Sequence, residues 1–96
     1  MSGGYVFDTE AIIAFLYNEP GHKAVAELLN EVFTGDADGF LTETNASEVF
    51  YLVARFEGVD DVPTDASLRE ADRDIRALER QGLELKAADW RLAAEI

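Results

Sequence analysis

Apolar positions along the chain follow two rhythms. Tyr5-Val6-Phe7, entered from Gly3-Gly4 and ending at Asp8-Thr9, is a short apolar run of strand character, as is Phe40-Leu41; Leu83-Glu84-Leu85 alternates as a third strand would. Between them the spacing turns helical. Ala11, Ile12, Ile13, Phe15 and Leu16 make a short helix from Thr9 or Glu10 to Tyr17, apolar nearly all round and therefore buried. Pro20-Gly21 breaks it, and Val25, Leu28, Leu29, Val32 and Phe33 form the stripe of a second helix, with Gly35 just past its end. Thr44 or Asn45 opens a third, carrying Val49, Phe50, Leu52, Val53 and Phe56 and closed by Gly58. After the acidic stretch 59–64, Asp65 caps a longer amphipathic helix with Leu68, Ala71, Ile75 and Leu78 inward and Gly82 at its C-terminal turn. Asp89 caps a last helix from Trp90 onward, with Leu92, Ala93 and Ile96 on one side.

Strands alternating with helices predict an α/β layer fold with a parallel sheet, because parallel neighbours require helical crossovers. Ninety-six residues hold a single domain. Three strands make a thin sheet whose edges this chain does not cover, so the pattern predicts the front portion of a larger domain, or one completed by a partner.

Composition narrows the chemistry. The absence of cysteine removes disulfides and thiol catalysis, and the lone histidine, His22, which reads as a surface residue, argues against the Ser-His-Asp triad and most zinc sites. No apolar run is long enough to cross a membrane and no secretory signal opens the chain, so a cytoplasmic protein is expected. Twenty acids against eight bases leave a net charge of −12. The acids are spread along the chain, which suits a protein of concentrated salt, where charges are screened within ~3 Å at 1 M ionic strength. In dilute buffer such a surface repels nucleic acid.

Two acids stand where chemistry is done. Asp8 follows the first strand, at the carboxyl end where open α/β sheets bind ligands. It can hold a divalent cation, accept a phosphoryl group or simply cap the next helix. Glu48 lies early in the third helix, and Asn45-x-x-Glu48 has capping-box spacing, so it can cap or converge with Asp8 on one cleft. Mg²⁺ is satisfied by one or two protein carboxylates besides water and phosphate oxygens. Arg69, Arg73, Arg76 and Arg80 run at helical spacing among Glu70, Asp72, Asp74 and Glu79, either as a salt-bridged exposed face or as contacts to RNA phosphates or an acidic partner. Asp60-Asp61 reads as a solvated pair in a loop, and Tyr17, Tyr51 and Phe56 as core.

Val6-Phe7-Asp8-Thr9 with its apolar helix, the Pro-Gly break, and Thr44-Asn45-Ala46-Ser47-Glu48-Val49 resemble the first and second acidic motifs of the PIN-domain family. The tail from Leu83 to Ala93 is similar to the stretch ahead of the third motif in VapC-type toxins. The resemblance implies a three-layer α/β/α sandwich and a metal-dependent endoribonuclease, the toxin of a type II toxin–antitoxin pair, using Mg²⁺ or Mn²⁺. It implies Asp8 and Glu48 as catalytic and metal-binding acids, supported by Thr9 and Asn45, with RNA as substrate and an antitoxin and a second copy as partners. The family's third and further acids have no counterpart among these residues, and Asp89 reads as a cap rather than a substitute. A single domain over 1–96 that lacks its C-terminal part, with weakened hydrolysis, is the resulting expectation. Two rivals stand beside it: a non-catalytic dimerisation or antitoxin-binding module of the same fold, and a phosphoryl-transfer domain using Asp8 as nucleophile.

Overall fold

The computed structural model describes residues 4–87. Their order is β1 (Gly4–Phe7), α1 (Thr9–Tyr17), α2 (His22–Phe33), β2 (Asp38–Thr42), α3 (Glu43–Phe56), α4 (Asp65–Gln81) and β3 (Leu83–Lys86). The strands form one parallel sheet in the order β1-β2-β3, each joined to the next through a pair of helices. This is the expected α/β fold with a parallel sheet. The expected helix capped by Asp89 lies outside the described residues.

Register decides which face of the sheet is buried. Phe7 pairs with Leu41 and Leu41 with Leu85, while Tyr5, Gly39 and Leu83 share a second row two residues back. These two rows face the helices, and Phe7, Leu41 and Leu83 join Ile12, Leu29, Val49, Val53, Ala71 and Ile75 in one core. Gly39 is a glycine by necessity, since a Cβ there would stand 2.6 Å from Val32 of α2. The opposite rows carry Val6 and Phe40, half-buried, with the Lys86 ammonium 5.3 Å from the Phe40 ring centre. A helical layer over that face, the third layer of the anticipated sandwich, is not among the described residues.

Several boundaries differ from the sequence expectation. The third helix starts at Glu43, capped by Thr42, whose hydroxyl accepts the Asn45 amide at 3.2 Å. Asn45 is therefore inside the first turn and is not the cap. The fourth helix is capped by Thr64 and not by Asp65, in a reciprocal box with Ser67 (Oγ 2.8 Å from the Thr64 amide). That box turns Ser67 inward, almost wholly buried with its polar atoms satisfied, and leaves Leu68 partly exposed. Gly82 closes the helix at φ 126°, as its type suggests.

Gly58 is not the helix cap, and its φ is not left-handed. It is needed because a Cβ at this point would overlap the Val62 carbonyl and stand 2.9 Å from the Ala54 carbonyl oxygen. Val59 and Val62 exchange two backbone hydrogen bonds of 3.0 and 2.9 Å around Asp60 and Asp61, both at positive φ, which is a two-residue hairpin turn. Asp60 remains exposed, but Asp61 pairs with Arg55, so the two are more than a solvated pair.

Tyr51 and Phe56 are not core residues. They are 55% and 48% exposed, Tyr51 beneath the Arg55 guanidinium and Phe56 edge-on to Tyr17 with centroids 5.3 Å apart. Tyr17 donates to Glu57 at 2.9 Å, and burial together with that carboxylate raises its phenol well above the ordinary value. Asp74 sits in the same neighbourhood. Partial burial, then the charge of Glu57, raises its carboxyl above the usual 3.8, with Arg73 opposing. A raised carboxyl favours the protonated form in the fold, so stability from this group is gained as pH falls through the folded-state value and is complete below 3.8. Asp74→Asn is accordingly expected to raise the thermal midpoint at neutral pH. The advantage over the parent should vanish in melts near pH 3.8; an advantage that persists there contradicts this origin.

Candidate active site

The site begins where β1 and β2 end. Parallel strands present their carboxyl ends on one side, and the chain leaves each directly into a helix. Asp8 occupies the cap of α1: its Oδ1 accepts the Ala11 amide at 2.8 Å, so the capping role that spacing allowed is real. Capping uses one oxygen, and the second has no protein hydrogen bond among the described residues.

Thr9 is the joint of the site. It is the first residue of α1, 8% exposed, with its hydroxyl 2.8 Å from Glu48 Oε2 and 3.0 Å from the amide end of Asn45. A hydroxyl has one proton to give, and the carboxylate is the stronger acceptor, so the proton goes to Glu48. The Asn45 amide oxygen, 3.0 Å away, is a second acceptor within reach of the same hydroxyl. One side chain thus ties the residue after Asp8 to two residues of α3 that lie 36 and 39 positions further along the chain.

The early start of α3 bears directly on Glu48. Helix capping at this end is performed by Thr42, and Glu48 sits in the second turn, too far along to satisfy the Asn45 amide as a box partner would. Its exposed carboxylate is held from one side by Thr9 and is otherwise open. Glu43 is an acid that sequence reading passed over. With β2 running to Thr42, Glu43 follows the strand end as closely as Asp8 follows β1, a position visible only once the strand boundary is known. An opening of about 490 Å³ adjoins Thr9, bounded by Glu10, Ile13, Glu19 and Leu52.

The available donors are carboxylate, hydroxyl and amide oxygens, which suit a hard divalent cation better than a soft one. Asp8 and Glu48 would supply the charge, within the one or two carboxylates that Mg²⁺ commonly takes from protein. Among the described residues no group of three His, Cys, Asp or Glu forms a fuller cage. The donor set therefore fits such an ion as an open site completed by water and substrate.

Thr9→Val deletes the proton that orients Glu48 while keeping the side-chain volume. Titration calorimetry with Mn²⁺ is expected to show affinity lowered by about 10–100-fold, the usual effect of removing a partner of a metal ligand. Thr9→Ser should restore it. Equal affinity in all three proteins would show that Thr9 does not position the site.

The other candidates disperse. Arg76 is engaged by Asp72 at 2.8 Å on the exposed face of α4, while Arg69 and Arg73 line a cleft against Phe50 of α3 whose walls do not include Thr9. Arg80 lies exposed in the last turn of α4. The His22 ring is within 2.9 Å of the Glu19 carbonyl at the entry to α2, a local turn contact. Among the described residues no helix is long and apolar enough to cross a membrane.

Compared with known proteins, the chain matches the PIN domain over residues 5–96. No curated protein and no solved structure matches it. With that match covering nearly the whole sequence, and with strand-end Asp8 tied through Thr9 to Asn45 and Glu48 on a parallel sheet, the chain belongs to the PIN domain family, whose membership points to divalent-metal-dependent nuclease activity on nucleic acid.

Proposed function

We propose that this chain is a metal-dependent endoribonuclease of the VapC type, the toxin of a type II toxin–antitoxin pair. Asp8 and Glu48 hold the cation in this reading, and Thr9 and Asn45 position them. The observation that carries it is the Thr9 hydroxyl bonded to Asn45 and Glu48, which brings together the residues of two acidic motifs far apart in the chain. When bound, Mg²⁺ or Mn²⁺ supplies Lewis acidity toward the phosphate and lowers the pKa of water.

The protein's own part is pre-organisation. Capping α1 holds the Asp8 carboxylate with one oxygen toward the Ala11 amide and the other outward. Thr9 fixes the Glu48 rotamer, leaving its second oxygen for the cation or a water proton. Asn45, half-buried, turns its amide oxygen to the Thr9 hydroxyl and would keep its NH₂ group for substrate. The net charge of −12 opposes RNA at low ionic strength. Cytoplasmic work at high salt, as in a halophile, screens that repulsion and leaves the ion and nearby polar groups to select the scissile phosphate. An antitoxin and a second copy of the chain are the protein partners in this reading.

The test is cleavage of a single-stranded RNA oligonucleotide at high KCl. Activity is expected with Mg²⁺ or Mn²⁺, lost on chelation and restored by either ion; cleavage that survives chelation overturns the reading. A second reading rests on the fact that no group of three His, Cys, Asp or Glu gathers among the described residues. There the domain binds its partner without cutting RNA, and tight partner binding with no metal-dependent cleavage would establish it. The family match favours either over phosphoryl transfer through Asp8.

A further inference from the structure

The opening beside Thr9 continues the contact between α1 and α3. Thr9 and Glu48 meet at 2.8 Å, and Ile13 and Leu52 stand one turn further along the same two helices. Those two side chains and Ala14 wall a cavity of about 490 Å³ that borders Thr9. Glu10 lies at its Thr9 end and Glu19 at the other, where the turn from α1 to α2 closes it. That turn is held by its own backbone. Asn18 is left-handed at φ 53°, the Glu19 amide donates to the Ala14 carbonyl at 3.0 Å, and the Glu19 carbonyl accepts the His22 amide at 2.9 Å. The far wall is therefore fixed before any ligand arrives.

Size, walls and charge limit what can enter. The volume falls within the roughly 300–1,000 Å³ of small-molecule pockets, which share its mostly apolar walls and few polar groups. No Lys or Arg lines it and both of its ionisable groups are carboxylates, so a phosphate is repelled. A carboxylate accepts hydrogen bonds and donates none. The ligand that suits is flat and uncharged, with faces for Ile13 and Leu52 and N–H groups on an edge for Glu19. An unpaired RNA base is such a ligand, since single-stranded RNA is read through its base faces and Watson–Crick edges. Guanine fits best of the four. Its N1–H and N2–H point the same way and match the two oxygens of one carboxylate. Adenine and cytosine set an acceptor nitrogen beside their amino group, and uracil sets its N–H between two carbonyls, all of which a carboxylate opposes.

We propose that this cavity is a base-recognition subsite in which Glu19 selects an unpaired guanine adjoining the phosphate held at Asp8 and Glu48. The inference rests on the nuclease reading, because Thr9 is common to the cavity and to the acids. Glu48 and Leu52 are one helical turn apart, about 5.4 Å, a step that a ribose spans between its phosphate and its base. Glu10, at the Thr9 end, keeps the phosphates themselves from entering.

Two measurements separate the subsite from the catalysis. The first is an NMR titration of the metal-free intact chain with the dinucleotides GpU, UpG and UpU. GpU or UpG is expected to shift the amides of Ile13, Ala14, Glu19 and Leu52 at concentrations about tenfold or more below those of UpU, as one bidentate contact to a base edge provides. Glu19→Gln should erase that difference, and Glu10→Gln should keep it. Both side chains are exposed, so the fold survives, as matching thermal midpoints will verify. The second is cleavage of a short oligouridine carrying one guanosine, with Mn²⁺ at high KCl. The parent is expected to cut at one fixed position beside the guanosine, with kcat/KM about tenfold or more above that for the inosine or all-uridine counterpart. Glu19→Gln should cut all three at the parent's all-uridine rate. Cleavage without base preference overturns the subsite and leaves the nuclease reading standing; guanine-selective shifts without cleavage do the reverse. Neither shifts nor cleavage overturns both. Equal shifts with every dinucleotide, or shifts away from the cavity, overturn the proposal. So does displacement of GpU or UpG by the tripeptide Gly-Arg-Gly at lower concentration, which would make the opening a pocket for a partner's basic side chain.

Discussion

Asp8→Asn is expected to abolish metal-dependent RNA cleavage while leaving the protein folded. The observed cap and the proposed cation ligand separate in this substitution. As a cap, asparagine is about as good as aspartate, so the Ala11 amide keeps its acceptor and α1 its first turn. As a cation ligand, the amide has lost the charge. Cleavage should fall by more than the roughly 10–100-fold that loss of a metal ligand's outer partner costs, with no change in thermal midpoint. Asp8→Ala should lose activity equally and in addition cost about 0.5–2 kcal/mol through the missing cap. Glu48→Gln should match Asp8→Asn in activity, and because Thr42 does the capping of α3, it should leave stability near the parent's. Initial cleavage rates and melts measured on the same preparations decide the matter. An Asp8→Asn protein that cuts at the parent rate would leave Asp8 with its cap and nothing more.

Gly58→Ala is expected to be the most destabilising single methyl in the described fold. The added carbon would overlap the Val62 carbonyl and press on the Ala54 carbonyl oxygen, and both obstacles are backbone. A flexible side chain can rotate aside, but here the end of α3 and the Val59–Val62 turn must part. Overpacking of this kind costs about 1–3 kcal/mol and sometimes more. For a domain of this size, that lowers the thermal midpoint by roughly 4–8 °C per kcal/mol. Circular dichroism melts beside Gly35→Ala make the comparison. Gly35 is left-handed (φ 87°) but meets nothing within 4 Å, so its alanine carries conformational strain without a clash. An equal loss at the two positions would show that the turn yields freely.

Much of the fold was legible because burial imposes period. The runs at Tyr5, Phe40 and Leu83 became strands, and the stripes through Ile12, Leu29, Val53 and Ile75 became the inward faces of four helices. Boundaries were less legible where neighbouring residues compete for one role. Thr42 and Asn45 can each cap a helix, and Thr64 and Asp65 can as well; hydrogen bonding in the folded chain chose the threonines. Period also failed to say which residues at helical spacing are covered. Tyr51 and Phe56 lie on a helix with the right spacing for a core, yet about half of each stays exposed, Phe56 meeting only the edge of Tyr17.

The candidate site shows the same division. Asp8 was identifiable because a strand followed by an acid is a local pattern, and so was the Pro-Gly break that ends its helix. The standing of Glu48 was not local. Spacing alone fitted a capping box with Asn45, and that fit disappears only when β2 extends to Thr42 and claims the cap. Thr9 bonded to Asn45 and Glu48 is a property of two elements meeting, as is the cleft where Arg69 and Arg73 remain unpaired among the described residues. Element type, core composition, charge and the acid at the first strand end were set by the order of residues, since each depends on near neighbours and on the need to bury apolar area. Which carboxylate is left open and which arginines stay available were decided by tertiary packing, because hydrogen-bond partners dozens of residues away compete with the local ones and only the folded chain brings them within reach.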